Sequence, residues 1–173
     1  TEVIQTKRAR VVAEMPDWKQ LRESGRQIRE HAMVNLDYYL EEFERNCTRA
    51  GGQVHWARDG EEAKRIVTAL VKASGSDEVI KVKSMTTEEI HLNQALEAAG
   101  LRAYETDLAE LIIQLGQDQP SHIVVPALHK NRQQIREIFQ REMNLPELGE
   151  KPQDLADAAR SFLREKFLRV KTA

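Results

Sequence analysis

The sequence predicts an α/β fold: a partial parallel sheet with flanking helices, preceded by a long N-terminal helix. Three observations predict it. Short β-prone runs recur with centres near Val54, Ile80, Ala103 and Val124, roughly 20 to 26 residues apart. Helix-capping residues stand between them. Apolar side chains recur at steps of three and four from Trp18 to Cys47, which is one face of a helix. Strands alternating with helices at this spacing pair in parallel through crossover helices.

The elements follow in order. After a polar lead-in, Pro16 and Asp17 open the long helix, with Asp17 and Gln20 spaced for a reciprocal cap. Trp18, Leu21, Gly25, Ile28, Ala32, Leu36, Tyr39, Leu40, Phe43 and Cys47 share its apolar face, so Cys47 is expected as a buried structural thiol. Ala50-Gly51-Gly52 ends the helix. Residues 53–57 form the first predicted strand, and Asp59 with Glu62 caps a helix carrying Ala63, Ile66, Val67, Leu70 and Val71. Residues 78–82 are the second strand, followed by a helix capped by Thr86 and Glu89 and closed by Gly100. Residues 101–105 are the third strand, and Asp107 with Glu110 caps a helix bearing Leu108, Leu111, Ile112 and Leu115. Residues 122–126 are the fourth, read as buried on both faces, and Asn131 with Gln134 opens a helix bearing Ile135, Ile138 and Phe139. A connection with Pro146, Gly149 and Pro152 leads to a last helix over 154–169, whose inward face holds Leu155, Ala158, Ala159, Phe162, Leu163 and Phe167. The domain division is 1–52, a helical extension, and 53–173, the α/β domain.

Composition narrows the function. Leu, Ile, Val and Phe make up 42 of 173 residues, enough for a packed core. With 26 basic and 28 acidic side chains, and nine of each in the first fifty residues, no polybasic face for nucleic acid or anionic lipid is expected. The longest apolar stretch, 123–128, is too short to span a bilayer and contains Pro126. One cysteine excludes an internal disulfide framework or a Cys-rich metal or cluster site within these residues. A protein of a reducing compartment, the cytoplasm, follows as the expectation. Thr1 is no initiator, and the last residues come straight off a helical pattern, so the chain is read as a fragment of a longer one.

Ligands of such sheets sit beyond the carboxyl ends of the strands. The loop Lys83-Ser84-Met85-Thr86-Thr87-Glu88-Glu89 either holds an anion or is a capping sequence with a solvated lysine. The carboxylates of Glu105, Asp107 and Glu110 around Thr106 either hold a cation or serve as caps. In Pro126-Ala127-Leu128-His129-Lys130, the histidine can exchange protons and the lysine can pair with a substrate carboxylate; the alternative is a histidine bonded to a neighbouring carbonyl. His122, His31, His55 and His91 have no zinc-motif spacing, so no metal site is expected. Neither a glycine-rich phosphate loop nor a nucleophile elbow occurs.

The runs Lys83-Ser84-Met85-Thr86-Thr87-Glu88-Glu89-Ile90, Glu105-Thr106-Asp107-Leu108 through Ile112-Ile113-Gln114-Leu115, and Pro120-Ser121-His122-Ile123-Val124-Val125-Pro126-Ala127-Leu128-His129-Lys130 resemble the LUD-domain family, in particular its iron–sulfur members that serve L-lactate utilisation in bacteria. Pro16-Asp17-Trp18, Ile28-Arg29-Glu30-His31 and Val54-His55-Trp56-Ala57-Arg58-Asp59 are similar to the lead-in of those members, so the likeness covers nearly the whole chain. The resemblance implies a component of a complex oxidising L-lactate to pyruvate, an oxidoreductase and electron-transport role, and a fold akin to sugar isomerases and coenzyme A transferases. It also implies an Ala-Glu-Thr-Gly segment and a cysteine-rich region holding two 4Fe-4S clusters, both expected beyond residue 173; no cofactor is expected in these residues, which alone are expected to be inactive. Three roles stay open for the domain. One is a substrate-binding domain, with Lys83, Ser84, Thr86, Thr106 and Lys130 around a small carboxylate and His129 as the candidate catalytic group. The second is a coenzyme A or sugar-phosphate binding domain. The third is a docking module that meets the other subunits, or a second copy, through the long helix.

Overall fold

Asn35 interrupts the helical run that the apolar spacing predicts as continuous. The computed structural model describes residues 2–173, and the chain divides into two compact units, one ending at His55 and the other Trp56–Ala173. In the first, α1 (Glu2–Ala13) replaces the expected polar lead-in, and α2 (Trp18–Val34) and α3 (Leu36–Arg49) replace the single long helix. The Asn35 side-chain amide donates to the His31 carbonyl at 2.8 Å, competing locally with the helical ladder. The Asp17–Gln20 reciprocal cap does not form. Asp17 lies at φ −102°, ψ 16°, outside the extended geometry that aims a carboxylate at the first turn, and only its carbonyl accepts from Gln20 and Leu21. The predicted apolar face is present but not buried: Ile28 is 70% and Phe43 59% exposed, and no residue of α1–α3 is buried. Cys47, expected buried, is half-buried. Gly51 takes the left-handed turn at φ +88° that ends α3, and the following Gly52 amide donates to the Cys47 carbonyl at 2.9 Å.

The first helix of the second unit starts at Asp59, whose carboxylate accepts from the Glu62 amide at 2.8 Å and so caps α4 (Gly60–Ala73). Strand β1 (Glu78–Lys81) then leads to α5 (Met85–Glu89) and α6 (Leu92–Ala98). The cap of α5 is Ser84, not Thr86: the Ser84 hydroxyl accepts from the Thr87 amide. His91, with φ +54°, breaks what the sequence predicts as one helix into two. Gly100, at φ +81°, turns the chain into β2 (Arg102–Glu105), which pairs with β1 in parallel, Glu78 opposite Arg102 and Lys81 opposite Glu105. Helices α7 (Leu108–Gly116), α8 (Arg132–Glu142) and α9 (Pro152–Arg169) complete the unit. Asp107 caps α7, and Asn131 and Gln134 make the reciprocal capping box of α8.

The α/β class and the parallel pairing hold, but among the described residues the sheet has two strands, not four. Residues 53–57 join no ladder, and a strand without a partner leaves its amides and carbonyls to water. Residues 122–126 are a loop rather than a doubly buried strand: Ile123 is 64% and Val124 60% exposed. Ser121 closes this loop by donating its amide and hydroxyl to the Pro126 carbonyl, and His122 Nδ1 accepts from the amides of Val124 and Val125. On β1, Ile80 also donates its amide to the Thr172 carbonyl at 3.0 Å.

Two apolar clusters hold the unit. Val71, Val79, Leu92, Leu96, Leu101 and Ala103 pack between α4, α6 and the sheet. Leu111, Ile112, Ile113, Ile138, Phe139, Leu155 and Ala159 join α7, α8 and α9. Each large aliphatic side chain so removed from water stabilises by about 1.5–3 kcal/mol. Three residues predicted on the apolar faces of this unit's helices are instead exposed, Leu70 at 46%, Leu108 at 43% and Phe167 at 52%.

Candidate functional site

Lys81 and Glu105 end the two strands in register, so their side chains rise on one face of the sheet and form an ion pair. Glu105 is 6% exposed. Its Oε1 also accepts from the Asn93 amide of α6 at 2.8 Å. Its backbone amide donates to Gln114 Oε1 at 3.0 Å, while Gln114 Nε2 donates to the Ala103 carbonyl at 2.7 Å. The Gln114 side chain thereby pairs with the edge of β2 much as another strand would. Glu105 Oε2 and Asn93 Oδ1 are buried and have no hydrogen-bond partner.

A cleft of about 710 Å³ opens over this pair, with Lys81, Asn93, Glu105, Glu110, Gln114 and Asp118 among its lining. Two further lysines reach it through carboxylates. Lys83, after β1, pairs with Glu110 in the first turn of α7, where Glu110 is 8% exposed. Lys130 Nζ lies 2.5 Å and His129 Nε2 2.8 Å from the same Oδ2 of Asp118. His129, Lys130 and the Gln119 amide together hold the Asp118 carboxyl well below the usual carboxylate range. Each of three lining carboxylates is thus matched by a lysine, although Glu88, Glu89 and Glu97 add further negative charge to the lining.

The predicted site residues fall into two sets. Lys83, His129 and Lys130 are not in the cleft lining themselves but pair with Glu110 and Asp118, which are. Ser84, Thr86 and Thr106 have other places. Ser84 Oγ is the cap of α5, Thr86 is an exposed residue of that helix, and Thr106 Oγ1 donates to the Lys81 carbonyl at 2.9 Å. The acidic cluster of the third loop separates in the same way: Glu105 serves Lys81, Asp107 caps α7, and Glu110 serves Lys83. Among the described residues no group of three or more His, Cys, Asp or Glu side chains is placed to hold a metal ion. Sequence reasoning missed Lys81, Asn93, Gln114 and Asp118. For Lys81 and Glu105 a signal existed, since opposite charges end two successive strands. Asp118 stands in a polar run without periodicity and gave none.

Among the described residues no helix is long and apolar enough to cross a membrane. The LUD domain matches residues 40–173. The chain is 44% identical over 168 residues to lactate utilization protein B of Anoxybacillus flavithermus, covering 96% of this chain and 35% of that protein. It is 43% identical over 163 residues to lactate utilization protein B of Bacillus cereus, covering 94% and 34%. For the protein of that name in a Geobacillus species the identity is 44% over 168 residues, covering 96% and 35%. The chain therefore spans about a third of the length of these relatives. No solved structure matches it. With the family match over most of the chain and several relatives aligned along nearly all of it, the chain belongs to the LUD domain family.

Proposed function

We propose that this chain serves lactate utilisation as a substrate-binding domain of a longer cytoplasmic protein, which takes part in oxidising L-lactate to pyruvate together with partner subunits. The observation that carries the reading is the 44% identity along 96% of the chain to a lactate utilization protein B. The cleft over Lys81 and Glu105 supports a small polar ligand, because buried polar groups and paired lysines converge there. An incoming carboxylate would exchange for Glu110 on Lys83 or for Asp118 on Lys130, and His129, then freed from Asp118, would be the group that carries a proton. Ser84 and Thr106 shape the loops that present these lysines. The carboxylate-rich lining disfavours the multiply charged phosphates of a coenzyme A or sugar-phosphate ligand more than it does a single carboxylate.

The two 4Fe-4S clusters implied by the resemblance do not fit these residues. Each such cluster takes four cysteine thiolates, and the sequence has one cysteine. Within this proposal the clusters belong to other parts of the longer protein.

The test is genetic and direct. In the organism that carries the full-length protein, in-frame deletion of the segment coding for residues 56–173 abolishes growth on L-lactate while growth on glucose continues, and the intact gene restores it. Unimpaired growth on L-lactate overturns the proposal. A second reading, assembly through the N-terminal helices, is favoured by the exposed stripe that includes Ile28 and Phe43. It predicts that Ile28→Glu with Phe43→Glu breaks co-purification with the partner subunits, whereas the substrate-binding reading leaves it intact.

A further inference from the structure

The floor of the cleft carries an imbalance of donors and acceptors. Glu105 is buried, and its Oε1 is occupied twice, by Lys81 and by the Asn93 amide. What remains are two acceptors, Glu105 Oε2 and Asn93 Oδ1, both out of contact with water and both without a donor. A buried acceptor left unmade carries its full desolvation cost, so two of them on hydrogen-bonded residues that line a cleft are an expensive feature unless a ligand supplies the missing hydrogen. Rotating the Asn93 amide does not remove the deficit, because it would set an oxygen against Glu105 Oε1 and lose the one bond Asn93 makes there.

From this arrangement we infer that Glu105 and Asn93 form a hydroxyl-reading site: the two side chains part as the ligand enters, and the hydroxyl of a 2-hydroxy acid donates to Glu105 Oε2 or Asn93 Oδ1. The inference rests on the substrate-binding reading and adds which end of the ligand is recognised, and by which atoms. Lys81 pairs with Glu105 Oε1 and so leaves Oε2 for the hydroxyl, while the ligand's own carboxylate goes to Lys83 or Lys130. A keto oxygen has no hydrogen to give and would face two acceptors, so the site disfavours the 2-oxo acid. A ligand with neither hydroxyl nor ketone leaves both oxygens orphaned. The discrimination therefore comes from unmade bonds rather than from shape.

The experiment is calorimetric titration of the full-length protein with L-lactate, pyruvate and propionate, the last keeping the carboxylate and chain length but lacking the hydroxyl. The wild type is expected to bind L-lactate at least about tenfold more tightly than propionate, and more tightly than pyruvate. Asn93→Ala should reduce that preference. The double variant Lys81→Met with Glu105→Gln avoids leaving a lone buried charge and turns the Oε2 position into a donor, so pyruvate should gain relative to L-lactate. Equal affinity of the wild type for L-lactate and propionate overturns the hydroxyl-reading site alone and leaves the substrate-binding reading standing. An unchanged ligand ranking in both variants does the same. Failure of the wild type to bind L-lactate or pyruvate at all overturns both.

Discussion

Lys83 and Glu110 join the loop after β1 to the first turn of α7 through an ion pair in which the carboxylate is almost fully enclosed. Glu110 also lines the cleft, so the pair ties the stability of the unit to the state of its candidate site. A lysine that holds a ligand carboxylate here must first release a buried glutamate.

Lys83→Ala is therefore expected to cost roughly 3 kcal/mol in a urea unfolding measurement, because it strands the Glu110 charge. Lys83→Met combined with Glu110→Gln should recover most of that loss. If the single variant unfolds at the wild-type urea midpoint, the pair does not carry this energy. Where the expected loss is seen, inactivity of Lys83→Ala alone does not separate misfolding from a lost ligand contact, so the double variant is the one to assay.

Asp118 gives a pH dependence with a defined sign. Its carboxyl is held below the usual range by His129, Lys130 and the Gln119 amide, so its ionised form is favoured in the folded state. The stabilisation is complete above the ordinary aspartate pKa of about 4 and is lost as the pH falls from there toward the lower folded value. Carbon-detected NMR should find Asp118 still ionised at about pH 3, where an ordinary aspartate is mostly protonated. The stability difference between wild type and Asp118→Asn should be level above about pH 5 and shrink in acid. A carboxyl titrating in the usual range would contradict the geometry.

Helix caps make a third prediction. Asp59→Ala and Asp107→Ala should each lower stability by about 1 kcal/mol, since each carboxylate accepts a first-turn amide. Asp17→Ala should fall within a few tenths of a kcal/mol, because that side chain caps nothing. Melting curves of the three variants separate the cases.

Core positions supply the fourth. Phe139 is fully buried and Phe139→Ala should cost about 3–5 kcal/mol, whereas Leu70→Ala, at a site 46% exposed, should cost less than about 1 kcal/mol. Comparable losses in the two would contradict the burial described.

What was legible in the sequence was local. Asp59, Asp107 and the Asn131–Gln134 box act within three residues of themselves, and Gly100 needs only its own backbone, so residue type and position sufficed. The buried faces of α8 and α9 follow from a single helical period. Strands are different, since a strand exists only with a partner. Residues 53–57 and 122–126 have β-prone composition, yet the first joins no ladder and the second folds onto Ser121 and His122. The site was half legible for the same reason. Lys83, His129 and Lys130 were chosen for their loops, while the carboxylates that hold them, Glu110 and Asp118, are paired across 27 and 11 or 12 positions by the fold alone.

The bond from the Ile80 amide to the Thr172 carbonyl has a bearing on how the chain comes to be folded. It joins residues 92 positions apart, and Arg169 reaching Glu78 at 3.0 Å reinforces the same closure. A ribosome would have to deliver α9 and the residues after it before the second flank of β1 is satisfied. The earliest strand of the unit thus waits for nearly the last of these residues, and a nascent chain arrested near residue 150 would expose β1 on that flank. Contacts of such long sequence separation slow folding, which makes this seam the place where a chaperone would find the unfinished domain.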